Sequence, residues 1–205
     1  RKDSVPSSYP RFRSFQNSLA IQGIGDENVK YTGGFSLIGN KITSASVTGD
    51  PSTIEVYHNG EKKFTARSSE FGFSDSTIVS QKSSINIPIG NDSITHNRIR
   101  LKYTFGADST QRLFLQKDKG NMNHTPYSSN FFNIDFAADI IKWDLYSDSM
   151  NIMTDGGRNT VPMIIESIDF YDAEDFRLLS GKGFSFHPVA VVATYCLKNK
   201  TREFY

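Results

Sequence analysis

The sequence is poor in cysteine, in long apolar runs and in excess charge of either sign. Its single cysteine excludes an internal disulfide and leaves too few thiols for a cysteine-based zinc site. No apolar run approaches the roughly 20 residues that a membrane-spanning helix requires. The 23 lysines and arginines balance the 22 aspartates and glutamates, so a net charge of +1 gives no reason to expect binding to nucleic acid or to an anionic membrane.

Motifs that would identify a cofactor, a metal or a catalytic centre are also missing. The four histidines are widely dispersed, without the short spacing of a metal-ligand pair. The Gly33-Gly34 pair precedes a predicted strand and opens no helix, so we interpret it as a turn or a close backbone approach. Asp92, Ser93 and His96 lack the pattern that surrounds a catalytic serine. We therefore predict no cofactor, no metal and no enzymatic activity.

Aromatic residues are plentiful by contrast, with 16 phenylalanines and 9 tyrosines among the 205 residues. Each of these side chains buries a large area when it enters a core. A chain of this composition can fill a core of ordinary size, which excludes general disorder. Many of the aromatics lie in stretches where apolar and polar residues alternate, and such alternation is typical of strands.

This alternation runs through residues 31–115 and predicts short antiparallel strands with one buried and one exposed face. Asn59-Gly60, between two alternating runs, predicts a hairpin. The parity of the apolar residues favours a three-residue loop that begins at His58 and pairs Ile54 with Phe64. We predict a mainly β fold, an antiparallel β-sandwich or meander, with a β-solenoid or a barrel as alternatives.

Residues 132–146 contain the candidates for ligand contact. The apolar residues change parity near residues 140–141, which predicts a bulge or a bend there. Trp143 shares its parity with apolar neighbours, which favours burial, whereas an exposed ring beside Tyr146 would suit stacking on a sugar. Asp135 and Asp139 have the parity opposite to the apolar face, so we expect them to face solvent together.

The end of the chain differs in pattern. We predict an antiparallel β domain in residues 1–170 and a helical tail in residues 171–205, which packs on the sheet or leads to a following domain. Asp172 caps a first short helix that ends at Gly181, and Pro188 opens a second helix. The predicted interface with a partner is an exposed aromatic cluster. Its members are Phe184, Phe186, Phe204 and Tyr205.

Several short motifs occur together along the chain. They are Tyr9-Pro10 with Phe12 and Ser14, Tyr31-Thr32-Gly33-Gly34-Phe35 with Gly39 and Lys41, Phe64, Ala66 and Ser68 with Phe71, Asp92-Ser93-Ile94 with His96, Pro126-Tyr127, and His187-Pro188. In this combination nearly the whole chain resembles a middle segment of very large exported proteins of Bacteroidetes-type bacteria, a family of unknown function. The resemblance implies a periplasmic, cell-surface or secreted segment of a larger protein. It supplies no catalytic residues.

Two functions stay open at this point. The first is a non-catalytic structural or interaction module of a larger extracytoplasmic protein, with neighbouring domains or another protein as partner. The second is a carbohydrate-binding β-domain with a glycan as ligand, for which Trp143, Tyr146, Asp135 and Asp139 are the candidate residues. A carbohydrate-cleaving domain would need two carboxylates across a groove, about 5–5.5 or 6.5–9.5 Å apart.

Overall fold

The computed structural model describes residues 10–24, 26–106, 110–117, 125–155, 162–168 and 188–200. The chain separates into two compact units, Arg1–Glu166 and Ser167–Tyr205. The described residues contain 16 strands and one helix. The strands form one open sheet, which is not closed into a barrel. The predicted mainly antiparallel β fold is confirmed.

The strands are β1 (Arg11–Arg13), β2 (Leu19–Gln22), β3 (Val29–Gly33), β4 (Ser36–Ile38), β5 (Lys41–Thr43), β6 (Ser52–His58), β7 (Glu61–Ser68), β8 (Gly72–Phe73), β9 (Thr77–Ile89), β10 (Asp92–Phe105), β11 (Gln111–Gln116), β12 (Tyr127–Ser129), β13 (Ile134–Phe136), β14 (Ile140–Asp144), β15 (Met150–Met153) and β16 (Ile165–Ser167). The helix is α1 (Pro188–Asn199), which begins at the predicted proline.

The long hairpin of β9 and β10 is shared by two arms of the sheet. The first arm has the order β1-β4-β5-β8-β9-β10-β11-β14-β15, and it uses the start of β9 and the end of β10. The second arm joins β2, β3, β6 and β7 to the end of β9, and joins β12, β13 and β16 to the start of β10. The register of the hairpin shifts between His96 and Leu101, where it passes from one arm to the other.

The two arms pack face to face. Phe64 of the second arm meets Tyr103 of the first edge to face, with ring centroids 5.6 Å apart. Tyr31 and Phe73 make a similar contact at 5.3 Å. The inward residues of both arms form one continuous hydrophobic core. This is the layered packing of a sandwich, and strands such as β6 and β10 alternate buried with more exposed residues because only one face is covered.

The hairpin of β6 and β7 differs from its predicted form. Its turn has two residues, Asn59 and Gly60, both with positive φ, rather than the three predicted. Lys63 has no partner in β6 and forms a bulge. As a result Phe64 pairs with Val56, whereas the prediction paired Phe64 with Ile54. The prediction of a bulge that keeps all apolar residues on one face is correct, but its place is wrong.

The segment after β12 also departs from prediction. Phe132 lies in a turn and is 59% exposed, so the predicted continuous strand from this residue is wrong. The strands of this segment, β13 and β14, belong to different arms: β13 pairs with β12 in the second arm, and β14 pairs with β11 in the first. The change of parity is therefore made by residues 137–139, which leave one arm and enter the other.

The Gly33-Gly34 pair is a close backbone approach, one of the two structures predicted for it. A Cβ on Gly33 would lie 2.1 Å from Ser52 Oγ, and one on Gly34 would lie 2.5 Å from Ser46 Cβ. The Tyr31 hydroxyl donates a hydrogen bond to the Gly34 carbonyl oxygen in the same place. Burial raises the pKa of this hydroxyl, which keeps it a donor.

Several predictions for the end of the chain lie outside the described residues. These are the helix between Asp172 and Gly181 and the interface cluster of Phe184, Phe186, Phe204 and Tyr205. Across the described ranges, no helix is both long enough and apolar enough to cross a bilayer.

Candidate functional site

Five loops meet at one end of the sandwich and enclose a cleft of about 570 Å³. They connect β2 to β3, β6 to β7, β8 to β9 and β10 to β11, and the fifth follows β14. Because both arms contribute loops, the cleft lies between layers that the shared core holds in place. A volume of this order is typical of sites for small ligands, roughly 300–1,000 Å³. We refer to it as the end cleft.

A buried amide organises the polar side of the end cleft. Gln111, at the start of β11, is 3% exposed. Its Nε2 donates to Asp26 Oδ2 at 3.3 Å and to the Tyr57 carbonyl at 3.4 Å, and these two acceptors fix the orientation of the amide. Gln111 Oε1 therefore accepts, so His58 Nδ1, 2.8 Å away, carries the proton and donates. In the neutral ring this leaves Nε2 of His58 as the acceptor.

Asp26 joins this amide to the core. Its Oδ2 also accepts a hydrogen bond of 3.2 Å from the Tyr103 hydroxyl, while its Oδ1 accepts one of 3.0 Å from Asn28 Nδ2. Burial, together with the negative charge of Asp26, raises the pKa of Tyr103 far above its ordinary value. The tyrosine hydroxyl is thus a permanent donor, and Asp26 is held by partners from both arms.

An exposed ring borders the same cleft. Tyr146, which follows β14, is 55% exposed and contacts His58 edge to face, with centroids 4.2 Å apart. Asp26, Glu27 and Asp75 add carboxylate groups to the lining, and the described lining contains no lysine or arginine. Such a cleft can accept hydrogen bonds from hydroxyl or amino groups and stack one apolar ring face.

The structure separates the residues that the sequence proposed for ligand contact. Trp143 is buried, and its Nε1 donates to the Ser147 carbonyl at 2.9 Å, so it is a core residue. Only Tyr146 lies at the end cleft. The favoured prediction, burial of Trp143, is confirmed, and the alternative of an exposed aromatic platform at Trp143 is excluded.

The two aspartates do not face solvent together either. Asp135 is half-buried in β13, and its Oδ1 is enclosed without a hydrogen-bond partner among the described residues. Asp139 lies between strands, accepts a hydrogen bond from the Asp155 amide at 2.8 Å and is 3.9 Å from Lys117 Nζ. The predicted pairing fails because the chain leaves the strand after Phe136.

The histidine of the Asp92-Ser93-Ile94 motif has a structural role. His96 is buried; its Nδ1 accepts from the Arg98 amide at 3.0 Å, and its Nε2 donates to the Thr125 carbonyl at 3.1 Å. Both ring nitrogens are therefore used within the fold. In the described part of the chain, no group of three or more His, Cys, Asp or Glu side chains is arranged to hold a metal ion.

Comparison of the chain with protein-family models, curated proteins and solved structures finds no match.

Proposed function

We propose that the β domain is a non-catalytic interaction module of a larger extracytoplasmic protein, and that the end cleft is its contact site. The observation that carries this proposal is the buried Gln111, which fixes His58 and Asp26 at the mouth of a cleft built by both arms. Binding sites gain affinity when their polar groups are held in place before the ligand arrives. The resemblance to exported proteins supports the extracytoplasmic location, and neighbouring domains or another protein are the partners.

The geometry favours binding over turnover. Asp26 accepts hydrogen bonds from Tyr103, Gln111 and Asn28, and Nδ1 of His58 donates to Gln111. A general acid or base must exchange its proton with a substrate, but both carboxylate oxygens of Asp26 already accept hydrogen bonds from the protein, so Nε2 of His58 has no free Asp26 oxygen with which to form an acid–base pair. Their arrangement supports a rigid surface that recognises a ligand and leaves it unchanged.

A carbohydrate is the second candidate ligand, and the exposed ring of Tyr146 favours it. Aromatic rings stack on the apolar face of a pyranose, while carboxylates and amides accept and donate hydrogen bonds to its hydroxyl groups. Tyr146, Asp75 and Asn59 bring these three kinds of group to one cleft. A neutral or amino sugar suits the lining better than an acidic one, because three carboxylates border it.

A titration followed by amide NMR shifts tests both ligand classes. The probes are a panel of neutral and amino oligosaccharides and a panel of short peptides. We expect one panel to shift the amides of Asn28, His58 and Gln111. Tyr146→Ala should weaken that binding by about tenfold, the value of one lost stacking contact. Phe132→Ala removes an equally exposed ring outside the cleft and should leave the affinity unchanged.

Equal effects of the two variants would overturn the assignment of the cleft. Binding of sugars alone would favour the carbohydrate candidate, and binding of peptides alone would favour a protein partner. Each bound oligosaccharide is also incubated with the protein and analysed by mass. Cleavage that disappears in Asp26→Asn would contradict a non-catalytic module.

A further inference from the structure

The outer face of the first arm carries a concentration of positive charge. Four cations, Arg100, Lys102, Arg112 and Lys142, lie exposed on β10, β11 and β14, with half-buried Phe114 among them. They have the parity opposite to the core residues of the same strands, so they point away from the other arm. We refer to these five residues as the basic face.

The sheet register places three of these side chains in one row. Lys102 is paired with Phe114, and Phe114 is paired with Lys142 on its other side. Neighbouring strands are about 4.8 Å apart, so the two lysines flank the ring at a separation of roughly 9–10 Å. A shallow groove of about 460 Å³ runs along this row.

The charge of this row is largely unbalanced. The carboxylate that lines the groove, Asp144, lies 3.7 Å from Arg112. Within the described residues, Lys102 and Lys142 have no carboxylate within 4.0 Å. The whole chain has a net charge of only +1, so the surplus belongs to this face and not to the molecule in general. A concentrated field of one sign attracts a ligand of the other.

We propose that the basic face binds an acidic polysaccharide, a polymer of pyranose rings that carry carboxylate groups. A pyranose that stacks on Phe114 has a length close to the strand spacing. The carboxylates of its neighbours along the polymer then reach Lys102 on one side and Lys142 on the other. Arg100 and Arg112 lie on the rows on either side of this one. They extend the positive surface along the strands, so that a polymer can also cross the face in that direction.

A sugar polymer fits this face better than a nucleic acid does. Proteins that bind single strands stack successive bases on several aromatic rings. Two aromatic residues line this groove, Phe114 and Trp143, and Trp143 belongs to the core, which leaves Phe114 as the ring available for stacking. Binding to a duplex depends on many phosphate contacts and a strongly basic domain. The net charge of +1 does not meet that condition.

Calorimetric titration of the 205-residue chain with polygalacturonate, at several salt concentrations, tests the assignment. Dextran is the uncharged control, and single-stranded and duplex DNA are the competing polyanions. The double variant Lys102→Gln, Lys142→Gln should reduce the slope of log Kd against log salt. Each lost contact with a flexible polyanion lowers this slope by about 0.7, so the loss of two contacts lowers it by about 1.4. Phe114→Ala should raise Kd about tenfold while the slope stays unchanged.

A matched double variant controls for total charge. Lys30→Gln, Lys62→Gln removes the same two charges from the exposed face of the second arm. It should leave both the affinity and the slope unchanged. Tyr146→Ala separates this site from the end cleft, because it should weaken only the binding that belongs to the cleft.

Three results would overturn the proposal. They are no binding to polygalacturonate, an equal loss in both lysine double variants, and DNA bound more tightly than the polyuronate. Thermal unfolding of each variant is recorded, and Phe114→Leu replaces Phe114→Ala if the latter lowers Tm. Loss of affinity in Phe114→Leu with an unchanged Tm supports the stacking role, and full affinity in that variant contradicts it.

Discussion

At Gly34 the backbone passes so close to its neighbours that no side chain fits. A Cβ there would lie 2.9 Å from both the Ser44 carbonyl oxygen and Ser46 Cα, which are backbone atoms that cannot rotate away. We expect Gly34→Ala to lower the free energy of unfolding by about 1–3 kcal/mol, the usual cost of overpacking. Urea denaturation measures it.

Gly106→Ala is the matched control, because among the described residues the nearest atom to its Cβ is Thr110 Oγ1 at 3.9 Å. It should change the free energy of unfolding by less than about 1 kcal/mol. Similar losses in the two variants would show that the effect is a general property of glycine and not of the close approach.

His96 makes the stability of the fold depend on pH. Burial lowers the pKa of its imidazole, and the positive charge of Lys117 acts in the same direction, against the opposing hydrogen bond to Thr125. The folded protein thus binds a proton less readily than the unfolded chain does. We expect the free energy of unfolding to fall as the pH drops below about 6.5, the ordinary value for histidine.

His96→Gln keeps a donor and an acceptor but does not titrate. Urea denaturation between about pH 7.5 and pH 5 should give a shallower dependence on pH for this variant than for the parent protein. Identical slopes would contradict the assignment, whatever the stability of the variant at neutral pH.

Single residues show both the reach and the limit of sequence analysis. Trp143 is buried as its parity predicts, because parity along a strand is local information. Asp26, His58 and Gln111 were not predicted as a group, because they lie in one loop and at the ends of two strands that are far apart in the sequence. Of the residues at the end cleft, the sequence pointed only to Tyr146, as a ring for sugar stacking. It placed this ring beside Trp143, whereas in the structure the ring contacts His58.

At the scale of elements, the bulge of the β6–β7 hairpin predicts that one residue can be deleted from a strand at little cost. Lys63 is the additional residue of the bulge, so its removal leaves Val56 opposite Phe64 in a regular ladder. We expect deletion of Lys63 to change the free energy of unfolding by no more than about 1 kcal/mol, since the exposed ion pair with Glu61 contributes little. Thermal denaturation and circular dichroism measure the outcome.

Deletion of Thr65 is the control for that experiment. It places Phe64 beside Ala66 and forces one of these two buried side chains to the outer face. We expect this variant to lose cooperative unfolding. If both deletions destabilise equally, the bulge is required for the hairpin and its description as an additional residue is wrong.

The sequence predicted elements better than their connections. Alternation identified β6, β7, β10 and β11. Pro88 was predicted to lie at an edge or an end, and the pairing of β9 with β7 indeed stops at Asn86, two residues before it. The turn length in β6–β7 was wrong because a bulge in the ladder and a bulge in the loop give the same parity. The break at residues 137–139 was missed because alternating parity does not show when a chain changes layers.

At the scale of the whole molecule, the shared hairpin joins the two arms into one folding unit. We expect Ile54→Ala, in the second arm, to lower the free energy of unfolding by about 2–5 kcal/mol through loss of core volume. The fluorescence of Trp143, the single tryptophan and a residue of the first arm, should shift to the same urea midpoint as the circular dichroism.

A Trp143 transition that stays at the parent midpoint, while the circular dichroism splits into two steps, would show that the arms unfold separately. In that case the bend between His96 and Leu101 would be a boundary between two independent layers. The hypothesis of a sandwich came from alternation alone, whereas this sharing of two strands has no signature in the sequence.

The position of β9 and β10 in the middle of the chain has a consequence during synthesis. As the ribosome releases the chain, β1 to β8 emerge before Thr77, the first residue of the strand on which β7 and β8 finally pair. Only local hairpins such as β6–β7 form before that point, because closing a short loop costs the least entropy. A nascent chain stopped short of Phe105 therefore lacks the strands that cover its aromatic residues, and we expect it to aggregate more readily than the complete chain.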